Sequence, residues 1–221
     1  MSFTRRNAMG AVLAFSMALT APLSFAAVTE GTDYVVLESP VDISKGTVIK
    51  VFSYDCPFCY KYAKAVDKAV MGKLPDMEFV PFHLKTKGKY GLQGSTLFAV
   101  ALVKDKAAGL KPLDPKSNFH KIEIALYKAY HDKKERWNDG ADPDAFIKTG
   151  LDAVGWNRAQ YDKDATDPKV KELIDLWEVS YPIAKVQGVP AYVVNGKYLL
   201  MTKNIMSLDS MVNKIKELSA K

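Results

Sequence analysis

Cys56 and Cys59 are the only cysteines in the 221-residue chain, and they stand three positions apart in Cys56-Pro57-Phe58-Cys59. A bond between them closes almost no loop, so it constrains the unfolded chain very little. A small domain stapled by disulfides would spread more cysteines over longer spacings. The chemistry left for such a pair is thiol–disulfide exchange or the binding of a soft metal. Two thiolates alone do not close a tetrahedral zinc shell. They could hold Cu(I) together with a methionine, yet the eight methionines form no Met-rich motif.

Exchange chemistry needs one of the two sulfurs activated, and the flanking sequence supplies the means. Val48 to Ser53 is β-branched and aromatic and reads as a buried strand that runs straight into the cysteines. Tyr60 to Lys73 continues with Ala63, Val66, Ala69 and Val70 at helical spacing and ends near Gly72 and Pro75. This places Cys56 at a helix N-cap, Pro57 at the first helical position and Cys59 one turn in. Pro57 has no N–H to leave unpaired, and its fixed φ suits a first turn. The amides of Phe58 and Cys59 then point at the Cys56 sulfur, where the helix dipole is positive. A thiolate there titrates below the ~8.5 of a free cysteine, leaves more readily and stabilises the reduced form. Cys59, buried behind it, would resolve a mixed disulfide.

The surrounding elements must position this turn. Met77 to Phe82 is a second strand, which completes a right-handed βαβ unit with parallel strands. From Leu92 to about Lys185 the pattern changes to helices over Ser95–Lys106, Phe119–Lys133, Pro143–Val154, Arg158–Lys163 and Asp167–Tyr181. Ser95, Asp142 with Pro143, and Asp167 with Pro168 are suited to start helices. Strands return at Ala191–Val194 and Lys197–Met201, joined through Asn195-Gly196, a strong hairpin signal. Ser207 then caps a last amphipathic helix through Leu218. The outer segments, 28–90 and 186–221, form one α/β domain into which an all-helical block, 91–185, is inserted. Gly188-Val189-Pro190 stands directly before the Ala191 strand, a position where a proline costs no ladder hydrogen bond.

Residues 1–27 read as an export signal rather than as part of the fold. Arg5 and Arg6 precede an apolar stretch from Ala8 to Leu19, and small residues at Ser24 and Ala26 offer cleavage after Ala26 or Ala27. The apolar run falls short of the ~20 residues that a membrane-spanning helix needs. Arg5-Arg6 also raises the twin-arginine route, which Asn7-Ala8-Met9 continues poorly. Of the formal net charge of +6, these two arginines contribute 2 and leave +4 on the mature chain. That charge is uneven: His83 to Arg136 holds 12 Lys/Arg against 5 Asp/Glu, and Trp137 to Ser180 holds 5 against 10. The basic stretch is either a solvated face or a surface that steers acidic partners. Its lysines are dispersed without interleaved aromatics, which argues against nucleic acid. His83, His120 and His131 are isolated and suggest no triad, while Trp137, Trp156 and Trp177 read as helical core.

Two segments taken together resemble a known family. Val51-Phe52-Ser53-Tyr54-Asp55-Cys56-Pro57-Phe58-Cys59-Tyr60 and Gly188-Val189-Pro190-Ala191-Tyr192-Val193-Val194-Asn195-Gly196-Lys197-Tyr198 are similar to the DsbA family of thioredoxin-fold oxidoreductases. Within it, Cys-Pro-Phe-Cys and the basic character are most like the DsbL branch. The resemblance implies a thioredoxin fold with an inserted helical domain and a periplasmic protein that donates its Cys56–Cys59 disulfide to exported, cysteine-containing clients. No bound cofactor is implied, because the cysteine pair carries the two electrons. Reoxidation by a quinone-linked membrane oxidase of the DsbB/DsbI type, a narrow client such as arylsulfate sulfotransferase, and a monomeric state are further implications. An isomerase or reductase is the alternative within redox chemistry, and a periplasmic copper carrier the alternative outside it.

Carried over by position, Cys56 becomes the attacked sulfur, Cys59 the resolving one, and Pro190 a cis-proline facing the pair. Val189 offers its backbone to a client peptide, with Pro57 and Phe58 beside it. Two positions depart from the family pattern. Phe58 stands where DsbA has a histidine, and Lys50 stands on the central strand where DsbA and thioredoxin carry a buried acid. Lys50 either snorkels to solvent or lies beneath the active site, where its charge would offset the loss of the histidine at Cys56.

Overall fold

The computed structural model describes residues 27–221, so the export signal expected at residues 1–27 lies outside the described residues except at Ala27. A mixed sheet of five strands, in the order β1-β5-β4-β2-β3, forms the centre. Its strands are β1 Tyr34–Val36, β2 Thr47–Phe52, β3 Glu78–His83, β4 Ala191–Val194 and β5 Tyr198–Leu200. β2 runs parallel to β3 and antiparallel to β4, with Lys50 level with both Pro81 and Tyr192. All six residues of β2 are buried, which explains its near-continuous apolar run and makes Lys50 the exception. β1 was not legible in the sequence: it is a three-residue edge strand held against β5.

β4 and β5 pair around Asn195 and Gly196, both at positive φ (53° and 66°), as an Asn-Gly hairpin demands. The first crossover departs from the continuous helix expected over Tyr60–Lys73. It is two helices, α1 Pro57–Ala65 and α2 Asp67–Met71, joined at Val66. The break turns Asp67 inward, where it is 2% exposed. Helix α9, Leu208–Ser219, is capped by the Ser207 hydroxyl and packs Met211, Val212, Ile215 and Leu218 against Val48, Tyr192 and Val194 of the sheet.

Between β3 and β4 come α3 Gly91–Ala107, α4 Asn118–Tyr127, α5 Pro143–Val154, α6 Arg158–Asp164, α7 Pro168–Leu176 and α8 Ser180–Gln187. Asp142 and Asp167 cap α5 and α7 as their side chains suggest. Ser95 does not start α3, which begins four residues earlier. Its hydroxyl is used instead by the buried His83, 2.8 Å from Nδ1. The helix expected over Phe119–Lys133 changes at Lys128 into one π-helical turn through Asp132. The one expected to end at Tyr181 stops at Leu176; a short 3₁₀ turn follows, and α8 continues to Gln187. Pro182 sits in the first turn of α8, where its missing N–H is no loss. Phe52 meets Phe98 and Phe119 edge-on at 5.2 and 5.8 Å, and those two rings meet tilted at 5.5 Å, which packs α3 and α4 onto β2.

Candidate functional site

The site is assembled where β2 ends and α1 begins. Cys56 has extended backbone angles (φ −87°, ψ 114°), Pro57 is the first helical residue, and the Cys59 amide donates to Cys56 Sγ at 3.1 Å. The Cys56 thiol in turn donates to the carbonyl of Val189 at 3.3 Å. Both cysteines are free thiols and both are buried. α8 ends at Gly188, whose φ of 82° and ψ of −164° belong to a region that glycine alone enters readily. The chain then passes through a cis Val189–Pro190 peptide into β4. Pro190 is thereby held on the loop that faces Cys56, and its neighbour Val189 supplies the contact. Phe58 is 59% exposed beside the pair, with the Lys61 ammonium 5.3 Å from its ring centroid.

The two thiols have opposite electrostatics. Cys56 titrates at about 7, chiefly because it accepts a hydrogen bond from Cys59, against the opposing cost of burial; the Cys59 amide, the Lys87 ammonium and the Phe58 amide add to the effect. Cys59 is pushed well up, first by burial and then by Cys56. One sulfur is therefore available as thiolate near neutral pH while the other holds its proton. Such an asymmetric pair can form a mixed disulfide at Cys56 and resolve it from Cys59.

Lys50 does not reach solvent. It is 1% exposed, with its ammonium 2.5 Å from Asp67 Oδ2 and 3.6 Å from Glu123 Oε1. The Tyr192 hydroxyl donates to the other Asp67 oxygen at 2.5 Å. Burial alone would favour neutral Lys50, but Asp67 and Glu123 hold it firmly protonated. Its charge acts downward on Cys59, whereas the lysine among the main influences on Cys56 is Lys87. The expectation that Lys50 offsets Phe58 at Cys56 is thus redirected, since the strand points its ammonium at the floor of the site. Lys87 approaches Asp55 at 3.4 Å from the loop after β3. Asp67, Lys87, Glu123 and Tyr127 were missed in the sequence. They come from α2, a loop and α4, and no spacing ties them to the cysteines.

α4 and the π turn lean directly on the active-site helix. The Tyr60 hydroxyl donates to Asp132 at 2.8 Å, and the Tyr60 ring stacks on Tyr127 and His131 at 5.1 and 5.6 Å. His83 lies deeper, stacked on Tyr54, and burial lowers it to about 3, so it is neutral.

The relatives agree with this geometry. A DSBA-like thioredoxin domain matches residues 113–216. The chain is 55% identical over 97% of both sequences to a thiol:disulfide interchange protein DsbL of Lelliottia amnigena. It is 56% identical to the DsbL of Escherichia coli O6:H1 over 92% of each chain. The crystal structure of DsbL from Salmonella enterica serovar Typhimurium, 58% identical, superposes with a TM-score of 0.87 over 89% of this chain and all of that one. With a buried dithiol at a helix N-cap, a cis-proline loop against it and these relatives, the chain belongs to the DsbA family of thioredoxin-fold thiol–disulfide oxidoreductases and is a dithiol oxidase.

Proposed function

We propose that the protein works in the periplasm, exported by a signal within residues 1–27, and donates a Cys56–Cys59 disulfide to a narrow set of exported clients of the arylsulfate sulfotransferase kind. The observation that carries this reading is the asymmetry of the pair. A Cys56 thiolate held by the Cys59 thiol, then by two helix-terminal amides and by Lys87, stabilises the dithiol, so the disulfide is readily given away. A client thiolate attacks Cys56 Sγ, the Cys56–Cys59 bond breaks, and Cys59 leaves with a proton. The client's second thiolate then attacks its own sulfur in the mixed disulfide and expels Cys56 as thiolate. The client leaves oxidised and this protein reduced. Val189, Pro57 and Phe58 would form the surface against which the client segment lies. A quinone-linked membrane oxidase of the DsbB/DsbI type would restore the disulfide, with no bound cofactor in this chain, which acts as a monomer. The unit boundaries 28–90, 91–185 and 186–221 belong to the same proposal.

Narrow client choice is supported by charge at the mouth of the site. Lys61 and Lys64 on α1, and Lys133, Lys134 and Arg136 just after the π turn that binds Tyr60, are all exposed. The redox equilibrium of Cys56–Cys59 against glutathione tests the oxidase reading. A pair far on the oxidising side supports it, and a thioredoxin-like value near ~−270 mV overturns it.

A further inference from the structure

Opening and reforming the Cys56–Cys59 bond each require a proton to be moved at Cys59, which is 0% exposed. Solvent cannot deliver that proton directly, so a buried group must hold it. Facing this space are Lys50 from β2, Asp67 from α2, Tyr192 from β4, Cys56 on the same turn, and Glu123 and Tyr127 from α4, with His120 one turn before Glu123. Asp67 is fully engaged, bound at one oxygen by Lys50 and at the other by Tyr192. Glu123 is only 3% exposed and meets Lys50 at 3.6 Å, a looser contact. One helical turn on, the Tyr127 hydroxyl is buried, has no partner at full hydrogen-bond geometry, and feels the charges of Cys59, Glu123, Cys56 and Asp67.

We infer that Glu123, brought from the helical block, is the proton store for Cys59, exchanging with it across the Tyr127 hydroxyl. When a client thiolate breaks the Cys56–Cys59 bond, the departing Cys59 sulfur receives the proton of the Glu123 carboxyl. When Cys59 attacks Cys56 Sγ of a mixed disulfide, its proton returns to Glu123 and the partner leaves as thiolate, so protons and electrons balance in both directions. The ionisation of Glu123 suits a store that must fill and empty near neutral pH: burial raises it to about 7, against the pull of Lys50. Lys50 then serves as the fixed counter-charge that Asp67 holds at 2.5 Å, with Glu123 the looser partner.

This inference rests on Cys56 as attacked sulfur and Cys59 as resolver, and the experiment separates the two. Reduced protein is mixed in a stopped-flow instrument with dithiobisnitrobenzoate. Cys56 attacks first and releases one thionitrobenzoate; Cys59 then attacks Cys56 Sγ and releases the second. A Cys59→Ala variant should show the first release only, which checks the role assignment by itself. In Glu123→Gln the first release should keep its rate, while the second slows on the order of 100-fold at neutral pH. The wild type should show an inflection near 7 in the pH profile of the second release, at a stage when Cys56 is bonded and cannot titrate, and Glu123→Gln should lose it. Glu123→Asp, which keeps the acid, should restore an inflection, and far-UV circular dichroism confirms that each variant is folded. A second release unchanged in Glu123→Gln, both releases slowed alike, or a folded Glu123→Asp indistinguishable from Glu123→Gln would each overturn the inference.

Discussion

The reactivity of Cys56 comes from a few polar contacts that each favour the thiolate. The Cys59 thiol contributes most, its amide reaches the Cys56 sulfur at 3.1 Å, and Lys87 adds a positive charge from a partly exposed side chain shared with Asp55. Thiolate absorbance at 240 nm should therefore titrate with a midpoint near 7, the value that its surroundings set. Lys87→Met should move that midpoint up by less than about one unit, because a half-exposed charge is screened by water. An unmoved midpoint would remove Lys87 from the mechanism. Phe58→His should lower it, by adding a hydrogen-bond donor beside the sulfur. The division of labour between the two sulfurs is checked by trapping. Cys59→Ala should accumulate mixed disulfides at Cys56, and Cys56→Ala should form none. A native reduced protein alkylated only at Cys59 would reverse the assignment.

Three elements meet beneath the pair through one buried cation. β2 offers Lys50, the break between α1 and α2 turns Asp67 towards it, and α4 adds Glu123. Removing one partner of such a cluster strands the rest, so Lys50→Met should destabilise the protein by about 3–5 kcal/mol. Equilibrium urea unfolding measures this, and a loss below 1 kcal/mol would mean that the cluster relaxes to solvent. Glu123 adds a pH dependence whose sign follows from its raised ionisation. Between its ordinary value of 4.5 and about 7, the unfolded chain has released a proton that the folded one still holds. Stability should therefore fall as pH rises through that window, and the fall should be absent in Glu123→Gln. Parallel curves for the two proteins would contradict it. At the α3–α5 crossing, an added Cβ at Gly150 would collide with Leu97 Cδ2. Gly150→Ala should accordingly cost about 1–3 kcal/mol by overpacking, measured in the same unfolding experiment.

Over the whole molecule, charge is used in two places, one buried cluster under the cysteines and an exposed basic stretch. The floor of the site buries the Lys50–Asp67–Glu123 cluster among aromatic rings, while Lys61, Lys64, Lys133, Lys134 and Arg136 stand on exposed positions with Asp132 and Glu135 between them. An excess of positive charge on such a surface speeds encounter with an acidic client and is screened by salt. Oxidation of such a client should slow steeply as salt rises, while oxidation of a small neutral dithiol should hardly change. An equal salt response for both would return these lysines to the role of a solvated face. The helical block joins the two roles, because α4 supplies Glu123 below and the segment after the π turn supplies the basic residues above.

The sequence by itself determined the reactive pair, its place at a helix start, the hairpin and the alternation of a strand-bearing frame with a helical stretch. Those features depend on neighbours within a few residues: an N-cap, a proline at the first helical position and an Asn-Gly turn act locally. Tertiary structure decided what lies under Cys59. Lys50 could be read as snorkelling because a strand residue shows its own alternation but not what covers it. Its partners are 17 residues away at Asp67 and, through a helix of another segment, at Glu123. The split of the Tyr60–Lys73 helix at Val66 belongs with them. A kink that turns an acid inward is favourable only when a cation is already waiting in the folded core, and no local pattern records that.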